Sequence, residues 1–252
     1  MKEAKTFAQG TELRKITVQG TELELEINEH VFSPSVNGSF YAESIKVNAG
    51  ETVIDIGTGS GVLGIFAAKA GAIVSATDID RYAVEIASRN ALLNKVEIEF
   101  SQGSLFAASG KKFDVILANL PNEIIHKTYL DNVGKELANT FDGGEKGNEH
   151  ILDLLKVAKK HMHEKSRLYL PVHTLTDYHE TLRQAIANYN AKLIAVGSLP
   201  TKEFVEENID SYLKLNVAGL IRIFMHDEAW HSNGYIFELS LRKQRMSEKG
   251  SR

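Results

Sequence analysis

From Thr52 onward the chain alternates short apolar runs with stretches whose apolar residues recur at helical spacing. "TVIDIG", "AIVSATDID", "VEIEFSQG", "FDVILAN", "SRLYLPV" and "AKLIAVGSLP" read as buried strands. Between them "GVLGIFAAKAG", "RYAVEIASRNALLN", "NEHILDLLKVAKKHM" and "TDYHETLRQAIANYN" read as helices. Gly71 is a plausible C-terminal stop, Asn148 a candidate cap, and Thr176 or Asp177 opens the last helix. This alternation predicts an α/β fold, a doubly wound and mostly parallel sheet with helices on both faces.

Both ends break the rhythm. "KITVQGTELELEI" holds two alternating runs around Gln19-Gly20, an N-terminal β-hairpin, and "VFSPSVNGSFYAESI" adds a turn and a short helix. After the sixth strand "FVEENIDSYLKLNVAGL" reads as helical. "IRIFMHDEAW" and "YIFELSLRK" then flank His231-Ser232-Asn233-Gly234, whose Asn-Gly is a hairpin signal, so the sheet is expected to finish in antiparallel strands. The expected organisation is a hairpin and cap segment over 1–45 and a main domain over 46–245 with an inserted helix near 203–220. A frayed tail over 246–252 completes it.

Composition narrows the function classes. The chain has 252 residues and no cysteine, which removes disulfides, thiolate metal sites and cysteine nucleophiles. With a formal net charge of −4 and a single dense basic run at the tail, bulk nucleic-acid binding is not expected. No apolar stretch approaches signal-peptide or membrane-spanning length, and a cytoplasmic protein is expected; the oligomeric state is not written in the sequence. His161 and His163 face different ways on a predicted helix. His226 and His231 read as part of an exposed polar turn, so no metal site is expected.

The chemistry concentrates at the strand ends. "DIGTGSGVLG" lies where the first core strand hands over to a helix, a place where glycines admit positive φ and helix N–H groups face a ligand. Gly59 to Gly64 matches the G-x-G-x-x-G dinucleotide fingerprint, with Asp80 downstream, which would suit a nicotinamide-dependent oxidoreductase. No catalytic Tyr/Lys pair accompanies it. Asp55 would repel a pyrophosphate and suits a ligand carrying an ammonium and a sulfonium, the charges of S-adenosylmethionine. Asp78, closing the next strand, can accept hydrogen bonds from both hydroxyls of a ribose.

Asp55-Ile56-Gly57-Thr58-Gly59-Ser60-Gly61, then Asp78-Ile79-Asp80 and the helix "AVEIASRNALLN", resemble the opening motifs of class I S-adenosylmethionine-dependent methyltransferases. The resemblance covers roughly residues 30–172 and implies a Rossmann-like sheet with S-adenosylmethionine as cofactor. Asn119-Leu120-Pro121-Asn122 resembles the Asn-Pro-Pro-Tyr motif of the branch acting on planar nitrogens, which includes protein-glutamine N5-methyltransferases and amino methyltransferases of nucleic-acid bases. "HVFSPS" and "FDGGEKGNEHILDLL" resemble segments flanking that motif. The resemblance places Asp55, Gly57, Thr58, Gly59 and Gly61 at the methionine end, Asp78 on the ribose, and Ile79, Ser104 and Leu105 at the adenine. Ser104 stands where the branch often has an acid. Asn119 and the Leu120-Pro121 backbone would face the transferred methyl.

Methyl transfer from a sulfonium is an in-line displacement, so positioning and charge placement supply most of the catalysis. The Asn119 side-chain oxygen and the Leu120 carbonyl could hold the N–H groups of an acceptor nitrogen. Asn122 replaces the aromatic residue that stacks on a flat acceptor, leaving Phe32, Phe40, Tyr41, Phe204, Tyr212 and Trp230 as candidate substitutes. The insertion and the N-terminal ribbon are expected to cover the crevice and enclose the acceptor. The expected function is methyl transfer to a nitrogen, or another nucleophile, of a small molecule or a protein side chain. Attack at a different sulfonium carbon, by alkyl transfer or cyclisation, is an alternative. A non-catalytic cofactor-binding module is another, to which Ser104 and Asn122 are suited.

Overall fold

Every core strand named above forms, in the expected order. The computed structural model describes residues 11–28, 31, 35–107, 109–126 and 142–242; Phe32, most of "HVFSPS" and the tail 246–252 lie outside them. A two-stranded ribbon, β1 (Glu12–Val18) and β2 (Thr21–Ile27), precedes helix α1 (Val36–Ser44). Then come β3 (Thr52–Ile56), α2 (Val62–Lys69), β4 (Ile73–Asp78), α3 (Arg81–Leu93), β5 (Ile98–Gln102) and β6 (Phe113–Ala118). The second half holds α4 (Glu149–Val157), β7 (Met162–His173), α5 (Tyr178–Asn188) and β8 (Asn190–Pro200). It ends with α6 (Glu203–Glu207), α7 (Ile209–Val217), β9 (Ile223–His226) and β10 (Ala229–Ser240).

The sheet order is β5-β4-β3-β6-β7-β10-β8, with β9 on β10. Strands β5, β4, β3, β6 and β7 pair in parallel, and β10 runs antiparallel to β7, β8 and β9. This is the Rossmann-like, doubly wound arrangement with an antiparallel end. The chain steps from β3 outward to β5, then returns to lay β6 on the other side of β3. The β3/β6 boundary is therefore the switch point, where a crevice opens beyond the strand ends.

Both faces of the central strands are covered, which explains their uninterrupted apolar runs. Val53, Val115 and Leu117 join a cluster with Tyr41, Leu63, Phe66 and Ala91. Ile54, Ile56, Ile116 and Ala118 face the opposite cluster with Ile151, Leu154 and Leu168. Helix α2 ends as expected at a glycine: Gly71 has φ +88°, its N–H donates to Ala68 O, and the Ala72 N–H reaches Ala67 O. Asp177, not Thr176, caps α5 by accepting from the Glu180 N–H at 3.1 Å.

Three expectations are corrected. Asn233-Gly234 is not a turn; both residues lie inside β10, and the hairpin reverses at Asp227 and Glu228, whose φ values are 47° and 63°. Gly234 is there because a Cβ would come within 2.7 Å of Leu199 Cδ1, so the glycine serves side-chain packing over the sheet. Asn148 occupies the N-cap position of α4 without capping it; its amide donates to Asp177 O and Thr181 Oγ1 instead. The ribbon does not lie over the strand ends. Leu23, Leu25 and Ile27 alternate toward Leu63, Phe66 and Ala91, so β2 packs on α2 and α3. The insertion does reach the strand ends: Phe204, Val205 and Tyr212 form a separate apolar cluster with Ile125, Leu175, Ile221 and Ile223.

Candidate functional site

The chain leaves β3 at Gly57 and re-enters regular structure as α2. Gly57, Gly59 and Gly61 have φ of 67°, 54° and 84°, which an L side chain rarely tolerates. The Gly57 and Thr58 N–H groups both donate to Thr77 O, at 2.8 and 3.0 Å, anchoring the loop on β4. Its far side is held by Asn90 of α3, fully buried, which donates to Ser60 O at 2.9 Å and to Glu26 O of β2 at 3.1 Å. The ribbon thus steadies the loop from behind.

Asp55 is 1% exposed. Its Oδ2 accepts from Thr58 Oγ1 at 2.7 Å and from the Gly64 N–H at 2.9 Å. Its Oδ1 is buried with no hydrogen-bond partner among the described residues. Burial pushes this carboxyl up to about 6, against the lowering by Thr58 and Gly64. A buried carboxylate oxygen without a donor is costly, and a ligand ammonium is the group that would satisfy it.

Asp78 ends β4, its carboxyl also raised by burial. Oδ2 accepts from the Gly59 N–H at 2.9 Å and Oδ1 from the Asp80 N–H at 3.0 Å. Ile79 follows, 73% exposed, an apolar platform beside the loop. The Gly103 N–H donates to Asp78 O at 2.8 Å, tying the end of β5 to the end of β4. Exposed Ser104 and half-buried Leu105 follow directly after that link; Leu105 has φ +49° and its carbonyl accepts from Thr77 Oγ1 of β4 at 2.6 Å. The glycine loop, Asp78, Ile79, Ser104 and Leu105 therefore share one edge of the sheet. Their donor set fits S-adenosylmethionine: an unpaired carboxylate oxygen for its ammonium, a second acid for its ribose and an exposed apolar face for its adenine.

Across the switch point, β6 ends at Ala118. Asn119 is exposed, and Leu120, Pro121 and Asn122 are half-buried. A Cβ built on Gly57 would lie 2.6 Å from Leu120 Cδ2, so the glycine loop and the Asn119–Asn122 turn are in contact. The Asn122 amide sits 3.5 Å from Pro171 O. Of the candidate aromatic substitutes, Tyr41, Phe204 and Tyr212 are buried in other contacts and Phe40 packs under Gly197 and Gly234. Trp230, half-buried, packs on the insertion's cluster.

Residues without a sequence signal lie next to this turn in the fold. Glu123, 4% exposed, accepts from Asn37 Nδ2 at 2.8 Å and from Lys202 Nζ at 2.5 Å, joining α1, the turn and the insertion. His173, 3% exposed, ends β7 beside this pair; its Nδ1 is buried without a partner among the described residues, and burial pushes it below the ordinary histidine range. The Asp-Gly-Gly segment packs its backbone on the turn: Cβ atoms on Gly143 and Gly147 would come within 2.9 Å of Glu123 O and 2.6 Å of Ile124 N. No cluster of three His, Asp or Glu side chains suited to a metal occurs among the described residues.

This geometry agrees with comparisons to known proteins. The family model "Ribosomal protein L11 methyltransferase (PrmA)" matches residues 21–139. A ribosomal protein L11 methyltransferase of Caldicellulosiruptor saccharolyticus is 43% identical over 126 residues, 45% of this chain and 42% of that protein. The chain thus spans less than half of the length of that relative. A Methanocaldococcus jannaschii protein, provisionally named a protein N5-glutamine methyltransferase, is 34% identical over 139 residues, 55% of this chain and 68% of that one. A solved T. thermophilus 16S rRNA methyltransferase, in complex with AdoMet and guanosine, superposes with a TM-score of 0.60 at 17% identity, covering 96% of this chain and 53% of that one. It shares the fold. The glycine loop and the acids at the β3 and β4 ends lie within the matched segment, and on this evidence the chain belongs to the class I S-adenosylmethionine-dependent methyltransferases.

Proposed function

We propose that this protein transfers the methyl group of S-adenosylmethionine to a nitrogen of a protein side chain in the cytoplasm. The observation that carries the reading is the contact between Gly57 and Leu120, which sets the Asn119 turn beside the loop that would hold the methionine end. The bound cofactor supplies an electrophilic methyl on a sulfonium. Asp55 Oδ1 would take the ammonium, Asp78 the ribose hydroxyls, and Ile79, Ser104 and Leu105 the adenine. Asn119 Oδ1 and the Leu120 carbonyl would accept N–H bonds from the incoming nitrogen, aiming its lone pair along the displacement axis. A protein acceptor is supported by the names of two relatives, an L11 methyltransferase and a provisional glutamine methyltransferase. No aromatic residue stands in the Asn119–Asn122 turn, which favours an acceptor needing no stacking platform, such as an aliphatic amine, over a flat amide or base. In the same reading residues 1–45 form the hairpin and cap segment and 46–245 the catalytic domain.

Incubation with methyl-tritiated S-adenosylmethionine and a cell extract, followed by gel filtration, tests this. Label in the protein fraction that disappears with Asn119→Ala is the expected result. Label confined to small molecules would reassign the acceptor. Release of methylthioadenosine in place of S-adenosylhomocysteine would overturn methyl transfer.

A further inference from the structure

Strands β6 and β7 pair in parallel as far as Leu117 and Tyr169 and then part. The hydroxyl of Tyr41 sits in the gap. It accepts from the Ala118 N–H at 3.1 Å and donates to Tyr169 O at 3.0 Å, replacing the next rung of the ladder. Tyr41 is fully buried, on helix α1, far from both strands in sequence. The carboxylate of Asp55, at the end of β3, is close enough to act on it electrostatically. One helical turn earlier on the same face, Asn37 donates to Glu123 at 2.8 Å. Helix α1 therefore grips the Asn119–Asn122 turn at both ends, at Ala118 through Tyr41 and at Glu123 through Asn37.

We infer that Tyr41 is a positioning residue: by parting β6 from β7 at Ala118 it sets the direction in which Asn119 and the Leu120 carbonyl face the transferred group, with Asn37 holding the far end of the turn. A turn fastened at one end only could swing by the fraction of an ångström that in-line transfer does not tolerate. The same hydroxyl satisfies two backbone groups that the splayed strands would otherwise bury unpaired. This inference rests on the proposed role of Asn119.

The test needs no knowledge of the acceptor. Sinefungin, the cofactor analogue with an amine where the sulfonium methyl would be, probes the Asn119 and Leu120 acceptors directly; S-adenosylhomocysteine lacks that group. Calorimetric titration of both ligands gives their affinity ratio. In Tyr41→Phe the sinefungin preference is expected to fall at least fivefold while the S-adenosylhomocysteine affinity stays within twofold, and the Ala118 amide loses its hydrogen-exchange protection. Asn37→Ala, should Tyr41→Phe not fold, is expected to lower the ratio in the same direction. An unchanged ratio in a folded variant of either kind overturns the inference. Wild-type protein that binds neither ligand would overturn the underlying reading of the site as well, whereas binding of both with an unchanged variant ratio removes only the role of Tyr41.

Discussion

Gly57 and Leu120 touch across the switch point: a methyl on Gly57 would lie 2.6 Å from Leu120 Cδ2. The loop proposed to hold the cofactor and the turn proposed to hold the acceptor are thus one packed unit, and disturbance of one is felt by the other.

Gly57→Ala must adopt φ +67° and push Leu120 aside. We expect a loss of about 1–3 kcal/mol in stability and a drop of tenfold or more in S-adenosylhomocysteine affinity. Adding Leu120→Ala should recover part of the stability and not the backbone strain. Urea titration and calorimetry measure both; a single variant that binds like wild type would show that the contact does not matter.

Asp55 governs a pH response. Burial raises its carboxyl from the ordinary 3.8 to about 6. A value higher in the folded state means that this group favours folding most below about pH 4, a benefit lost as pH rises through about 6 and amounting to roughly 3 kcal/mol by pH 7. Asp55→Asn removes that dependence, so the stability difference between variant and wild type should move in the variant's favour between pH 4 and pH 7. Ligand binding has the opposite sign. An ammonium prefers the ionised carboxylate, so S-adenosylhomocysteine affinity should fall about tenfold per pH unit below about 6 in wild type. Affinity independent of pH between 5 and 7 would remove Asp55 from the ligand.

Lys202 tests how the insertion is held. It lies 2.5 Å from the buried carboxylate of Glu123. Lys202→Met should destabilise by about 1–3 kcal/mol, chiefly by stranding a buried charge, and speed hydrogen exchange across 203–217. Glu123→Gln in the same chain should restore most of the loss, because the unpaired charge is then gone. No rescue would mean that Lys202 acts by packing alone.

Gly147→Ala should cost at least about 2 kcal/mol, since φ is +73° and the new Cβ would stand 2.6 Å from Ile124 N, a backbone atom that cannot turn away. Gly110→Ala meets nothing within 4 Å and should change stability by no more than about 0.5 kcal/mol. Equal denaturation midpoints for the two variants would contradict the backbone packing of the Asp-Gly-Gly segment.

The strands and helices of the central sheet were legible because their signals are local. A doubly covered strand is a continuous apolar run, Gly71 stops a helix through its own φ, and Asp177 caps through a neighbour three residues on. The same locality misled at Asn233-Gly234, a hairpin dipeptide held extended by pairing with β7 and β8 and by Leu199 packed over the glycine. The ribbon's place was illegible for a related reason: alternation shows that one face is buried, not which element buries it.

For the proposed site, the sequence by itself determined which residues stand at the strand ends, namely Asp55 and its glycines, Asp78-Ile79, Ser104-Leu105 and Asn119-Leu120, because strand ends and glycine turns are set by residues next to one another. Only the tertiary structure decided what holds those groups in place. Tyr41 fills the gap at Ala118 from 77 residues away, Asn37 and Lys202 meet on Glu123 from 86 and 79 residues away, and Asn90 reaches Ser60 across 30. Such partners are chosen by how helices and strands pack, and a buried hydroxyl or amide takes whichever backbone group the packing leaves unpaired.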